Sequence, residues 1–243
     1  MLIINADDLG RCSVATDRIV DCHAKNRVTS ASAMVFMQDS GRAAALAIAS
    51  NLDVGLHINL TETFTGPSVP PILRKNHERV RKFLRASKYA LLLYHPFLRR
   101  SFSEVFHAQA NEFSRLYGRS PSHIDGHQHM HLSSNMLMDR ILPSGMKVRR
   151  SFSFRAGEKS FFNRCYRKLI DQHLARRHRT TDFFFALSQH MRPDGLRRVV
   201  DLAKTANVEL MTHPEVTAEH DYLLSDQFAK AISGLQLGSY ASL

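Results

Sequence analysis

The chain has 243 residues, 44% of them hydrophobic, and a formal charge of +11 with histidine neutral. That is enough apolar material for one large core, and an α/β barrel fills this length as a single domain spanning residues 1–243. No run of about 20 apolar residues occurs, which excludes a membrane-spanning helix. Three cysteines without a CxxC pair argue against a disulfide framework or a structural zinc site and point to a reducing, cytoplasmic setting.

The opening MLIINADDLG lacks a basic leader and a cleavage site, so Leu2 to Asn5 reads as a buried first strand. Ser13 to Lys25 follows as a helix and Thr29 to Phe36 as a strand. Ala-rich Ser40 to Ser50 reads as a helix, and Asp53 to Leu60 as a third strand. After an irregular segment come a helix over Ser103 to Tyr117 and short strands over Ser122 to Asp125 and Met146 to Arg149. Helices over Asn163 to Arg177 and Asp194 to Thr205, a strand over Val208 to Thr212 and a helix over Asp226 to Gly234 complete the pass. Alternation of this kind implies a parallel sheet covered by helices, open or closed into a barrel.

In such folds reactive groups gather at the carboxyl ends of the strands. Four polar clusters each follow an apolar run: Asn5-Ala6-Asp7-Asp8, His57-Ile58-Asn59, Asp125-Gly126-His127 and Thr212-His213-Pro214-Glu215. That is the pattern of one assembled site. Neighbouring side chains on an extended backbone point to opposite sides, so Asp7 and Asp8 can do different jobs only if the strand has ended and the chain turns, as Gly10 permits. One carboxylate could then bind a metal while the other accepts a proton; the structural alternative is that Asp8 caps the next helix. His57, at the end of an apolar run, reads as a ligand or as a hydrogen-bonded structural group.

The stretch from His123 to His131 is the most informative, because four of the chain's 14 histidines (His123, His127, His129 and His131) fall within nine residues. On a strand these odd-numbered positions share a face; on a helix His127 and His131 are i,i+4 neighbours. Neutral imidazole is a frequent ligand of zinc and similar ions, and some of the four would orient the others. His213 could deliver a proton to a leaving amine, or simply bond a backbone carbonyl. HExxH, GxSxG, Walker A and GxGxxG patterns do not occur, which removes support for zincin, serine-hydrolase, P-loop and Rossmann readings.

The segments IINADDLG, GLHINLT, HIDGHQHMH and ELMTHPE, in this order and spacing, resemble the YdjC-like carbohydrate deacetylases over nearly the whole chain. The resemblance implies a distorted (β/α) barrel of the polysaccharide-deacetylase type. It implies a metal held by Asp8, His57 and His127, with Asp7 as general base and His213 as general acid or oxyanion stabiliser. It further implies one divalent ion (magnesium and zinc are the first choices) and an N-acetylated sugar or glycolipid substrate. Some relatives carry three consecutive histidines where this chain has His127-Gln128-His129, which leaves the middle position without an assigned role. The segments RRSFSFRAG, RRHRTTDFFF and LGSYASL look most like the branch associated with hopanoid lipids, and this implies an N-acetylglucosaminyl lipid.

Between Arg74 and Arg100 there are nine Lys or Arg and one acidic residue, Glu78, around the apolar run from Tyr89 to Leu98. Such a stretch suits peripheral contact with an anionic membrane on its inner face, or a buried helix with solvated basic flanks. The competing functions are hydrolysis of another amide or a phosphoester at the same metal, a non-catalytic metal-binding protein, and nucleic-acid binding. The last is disfavoured because no RNP motif, zinc finger or basic dimerising helix occurs. A homodimer is the assembly considered.

Overall fold

The computed structural model describes residues 1–155, 157–192 and 194–243. Its central strand, β1 (Leu2–Leu9), is buried along its whole length, as its near-continuous apolar start requires in the middle of a parallel sheet. β2 (Ser30–Ala33), β3 (Asp53–Ile58) and β4 (Ile124–Gly126) extend the sheet on one side, and β6 (Val208–Thr212) and β5 (Phe183–Ala186) on the other, all parallel. The short β7 (Leu237–Gly238) pairs with Leu2 and Ile3 of β1, below the point where β2 begins its own pairing at Asn5.

The sheet curls and nearly closes. Val148 bridges Ile124 at the start of β4, and Lys147 bridges Arg179, which leads into β5. The segment from Met146 to Arg149 therefore holds a strand position by single bridges rather than as a regular strand, which gives a distorted (β/α) barrel. The helices are α1 (Ser13–Ala24), α2 (Ser40–Ala49), α3 (Pro71–Arg85), α4 (Arg99–Tyr117), the one-turn α5 (Ser134–Met138), α6 (Phe161–Ala175), α7 (Arg197–Ala203), α8 (Thr217–Leu224) and α9 (Asp226–Ile232). Among the described residues no helix is long and apolar enough to cross a membrane.

Several elements depart from the sequence expectation. The irregular segment after β3 contains α3, whose Leu73, His77, Val80 and Leu84 are buried at helical spacing. A strongly basic outer face hides that periodicity from a reading of hydrophobicity alone. The triplet Phe183-Phe184-Phe185 forms β5, too short an apolar run to be told from a helical piece by period. α8 follows β6 where the sequence pattern marks no helix, and its first turn contains the buried Glu219.

The strand faces divide the interior in two. Leu2, Ile4 and Ala6 of β1, Ala31 and Ala33 of β2, Val54, Leu56 and Ile58 of β3, and Val208 and Leu210 of β6 join the apolar core between sheet and helices. The alternate positions (Asn5 and Asp7, Ser30 and Ser32, Gly55 and His57, Glu209) face the inside of the curl, where they are buried yet polar. Gly55 is required there, because a Cβ would collide with the imidazole of His123. The apolar core is thus a shell, and what it encloses is a hydrogen-bonded lumen.

Buried neutral histidines make the fold sensitive to acid. Burial pushes His77, His123 and His131 each down to about 4, whereas an unfolded histidine titrates near 6.5. The unfolded chain binds these protons first, so stability present above that unfolded value is lost as pH falls through the folded one. The melting temperature should fall steadily between about pH 6.5 and pH 4. An H77F variant, which keeps a ring against Phe64, should reduce the slope by one proton, roughly 1.4 kcal/mol per pH unit. A flat profile across that window would show that these imidazoles are not held neutral.

Candidate metal centre and active site

The aspartate doublet solves its geometric problem inside the strand. The register of β1 against β2 slips between Ala6 and Leu9, and Asp8 takes a left-handed backbone, φ 69°. Asp and Asn tolerate that region better than other side chains, at a cost of about 1 kcal/mol. The bulge turns Asp8 to the same end of the lumen as Asp7. The turn at Gly10, φ 84°, comes only afterwards. Asp8 caps no helix: α1 has Cys12 at its N-cap, with no side-chain cap.

His57 lies opposite Asp125 in the β3–β4 register, and its Nδ1 is 2.8 Å from Asp125 Oδ1. Nδ1–H therefore donates to the carboxylate, and Nε2 faces Asp8 Oδ1 at 3.2 Å and Asp7 Oδ2 at 3.9 Å. His127 arrives differently. Neither strand nor helix periodicity governs the histidine run: β4 ends at Gly126, and Gln128 and His129 both take positive φ, 54° and 59°. This tight turn leaves His127 alone at the site, with Nδ1 at 3.0 Å from Asp8 Oδ1 and Nε2 at 3.3 Å from Glu62 Oε2. Glu62 is set by Asn59, whose Oδ1 accepts from the Glu62 N–H at 2.8 Å, and by Arg11, whose Nε donates to it at 3.0 Å.

Below this layer lies Arg149, fully buried. Its Nη1 and Nη2 donate to both oxygens of Asp7 at 2.7 Å. It also pairs with Asp125 at 2.7 Å and donates through Nε to Glu209 at 2.7 Å. Asn5 donates to Asp7 Oδ1 at 2.9 Å and to Ser32 Oγ at 2.8 Å, and Ser32 in turn donates to Asp125 Oδ2 at 2.7 Å. Tyr240, from the closing segment, donates its hydroxyl to Glu209 and stacks on His123 at 3.8 Å between centroids.

The structure thus brings together Asp7, Asp8, His57 and His127, and a ligand atom from each of Asp8, His57 and His127 lies within 4.8 Å of the others. Asp7, His57 and Asp125 make a second such group. His213 is placed by register: Thr212 pairs with Ala6, so His213 follows alongside Asp7 at the strand ends. Its side chain is 34% exposed, and its backbone N–H donates to Glu219 at 2.7 Å. The other three clustered histidines make contacts outside this group. His123 bonds Ser32 at 3.0 Å, His131 Nε2 contacts the Arg149 carbonyl at 3.0 Å, and His129 packs edge-on against Phe152.

The charges fit a divalent cation. Burial would raise the Asp8 carboxyl, but its bonds to His127 and His57 hold it well below the usual carboxylate range. Burial would lower His57, yet Asp125 and Asp7 keep it well above its ordinary value. The geometry therefore asks for positive charge between these groups: a neutral His57 would turn a bare lone pair toward two carboxylates. Burial pushes Glu209 up to about 7 against the pull of Arg149 and Tyr240.

Comparison with known proteins agrees with this geometry. A family model described as YdjC-like protein matches residues 1–234. A carbohydrate deacetylase of Mus musculus is 35% identical over 144 residues, 54% of this chain and 43% of the relative. A chitooligosaccharide deacetylase of Yersinia pestis (strain Pestoides F) is 33% identical over 135 residues, 54% of this chain and 51% of the relative. The chain spans about half the length of the curated relatives it matches. The crystal structure of a protein of Enterococcus faecalis V583, named as a candidate for cellobiose-phosphate cleavage, aligns with TM-score 0.68 at 21% identity. That alignment covers 99% of this chain and 97% of the other and shows the fold alone.

Two outcomes test the layered arrangement. Arg149→Met strands three buried carboxylates and should cost about 3–5 kcal/mol in chemical denaturation, or prevent folding; a loss under 1 kcal/mol would mean the network is dispensable. Asp125→Asn frees the ring of His57 and should weaken zinc or manganese binding by about 10–100-fold in calorimetry. Unchanged affinity would remove Asp125 from the account.

Proposed function

The chain belongs to the YdjC-like protein family, and on that premise we propose that it is a divalent-metal-dependent hydrolase that removes the N-acetyl group of an amino sugar. One observation carries the reading. Each of two imidazoles has one nitrogen engaged by a carboxylate, Asp125 or Glu62, and its other nitrogen directed at the same oxygen of Asp8. Paired carboxylate–histidine units of this kind orient metal ligands.

In this scheme Asp8, His57 and His127 hold the ion, with magnesium or zinc as the first choices. When bound, it lowers the pKa of a water and polarises the acetamide carbonyl. Asp7 Oδ2, held by Arg149 and set 3.9 Å from His57 Nε2, accepts the proton of the attacking water. Asn5 and Arg149 fix the orientation of that carboxylate, so the proton acceptor needs no rearrangement. His213, half-exposed at the adjacent strand end, donates a proton to the leaving amine. Water and the amide become acetate and the free amino sugar. The N-acetylglucosaminyl head group of a hopanoid lipid is the finer substrate reading. It rests on the likeness of RRSFSFRAG, RRHRTTDFFF and LGSYASL to that branch; Ala156, within the first of these, lies outside the described residues.

Acetate release from N-acetylated chito-oligosaccharides or glycolipids, with phosphate release from phosphoesters run alongside, separates this reading from its enzymatic alternative. Asp7→Asn should keep the metal and lower turnover by about 10²–10⁴-fold, while His127→Ala should lose both. Full turnover by either variant, or phosphate release without acetate release, would overturn the assignment.

A further inference from the structure

A cavity of about 520 Å³ opens beside the histidine loop. Its inner end carries Gln128 and His129, which directly follow His127, and Phe152 forms part of its lining. One wall is the segment between α3 and α4, through Lys88, Tyr89 and Leu92; the other is α6, through Asn163, Tyr166 and Ile170. The first wall is not a buried helix with basic flanks. It contains two single 3-10 turns, Ala90–Leu92 and Pro96–Leu98, which bury Ala90 and Leu98, half-bury Leu91 and expose Leu92, Pro96 and Phe97.

Leu93 and Phe97 on this segment are 58% and 83% exposed, and Phe162, at the start of α6, is 83% exposed; Tyr89 and Phe161 beside them are exposed as well. Scattered single apolar side chains are ordinary on a protein surface, but two facing segments of bare aromatic and aliphatic tips are not. Cations accompany them. Lys88 stands over the ring of Tyr89 and Lys159 over that of Phe154. The nearby acids are already engaged, Asp171 with Arg150 at 2.6 Å and Glu158 with Arg198 at 3.3 Å. Among the described residues Lys88 and Arg167, both in the cavity lining, form no ion pair, and neither does Lys159, next to Ser160 of that lining, so the face carries net positive charge.

Charge chooses the occupant. A second copy of this chain, itself at +11, would bring like charges together. A nucleic acid would match the charge but leave Leu93, Phe97 and Phe162 in water. The interface of an anionic bilayer matches both, with the apolar tips among acyl chains and the cations among head groups. We propose that this face docks on an anionic lipid bilayer and presents the cavity mouth to a lipid-borne head group. The identity of that head group as an amino sugar rests on the deacetylase reading; the docking does not.

Sedimentation with vesicles of phosphatidylcholine, alone or with one quarter phosphatidylglycerol, tests this. The full chain should partition at least about tenfold more strongly onto the anionic vesicles. An L93S/F97S/F162S variant should lose about tenfold or more of that binding while releasing acetate from a water-soluble N-acetylated sugar at the unaltered rate. Asp7→Asn should sediment like the unaltered chain; vesicle binding by the unaltered chain with no acetate release from any N-acetylated sugar would uphold the docking and sink the deacetylase reading. Equal partition onto both vesicles, or full binding by the triple variant, would overturn the proposal. So would tighter binding to nucleic acid than to vesicles, or a dimer in ultracentrifugation that the triple variant splits.

Discussion

A guanidinium sealed from water must be neutralised where it stands, because moving it to bulk solvent is no longer an option once the barrel has formed. Arg149 sits in that position, and its burial raises the demand that Asp7, Asp125 and Glu209 meet at 2.7 Å each. These carboxylates come from β1, β4 and β6. One cation thereby ties together three strands that are far apart in the chain, and it does so from a segment that completes the barrel by single bridges rather than by a full ladder. The weak point of the sheet and its strongest electrostatic anchor coincide. Well-packed apolar side chains often match or exceed buried ion pairs in stability, so the polar lumen is explained by what it holds in place rather than by stability.

What it holds is the layer above. Asp125 shares its two oxygens between Arg149 and His57, so the ring that faces Asp8 is oriented by the same carboxylate that neutralises the arginine. Asp7 is gripped from below and left open toward His57 Nε2. His127, on the rim, is held from outside by Glu62, which Asn59 and Arg11 position. The two histidines thus reach Asp8 from independent supports, one buried and one half-exposed. The β1 bulge contributes the last piece: without the left-handed Asp8, the doublet would point one carboxylate into the lumen and the other into the apolar shell.

Much of this was legible in the sequence because parallel strands put their carboxyl ends at one place. That rule places Asp7, Asp8, His57, His127 and His213 at one end of the sheet from the sequence alone. The rule would also have found Arg149, which ends the expected strand from Met146, but its neighbours RRSFSF read more readily as a lineage mark than as a lumen residue. Glu209 offered a different signal, a charge between Val208 and Leu210 in an otherwise apolar strand, which in a buried strand demands a partner. Tyr240 carried none, since its role depends on a closing segment that returns across more than two hundred residues to Ser30. The histidine run was legible as a cluster and not as a geometry. Positive φ at Gln128 and His129 cannot be read from residue type, and it is that turn which separates His127 at the site from His129 and His131.

The central claim is that the Arg149 network presents Asp8, His57 and His127 to a single divalent ion and leaves Asp7 outside its coordination. A crystal structure of the chain grown with manganese, with the anomalous signal mapped, measures this directly. One peak is expected, bounded by an Asp8 oxygen, His57 Nε2 and His127 Nδ1, with Asp7 still paired to Arg149. No peak at these atoms, a peak ligated by His129 or His131, or Asp7 drawn off Arg149 to the ion would contradict it.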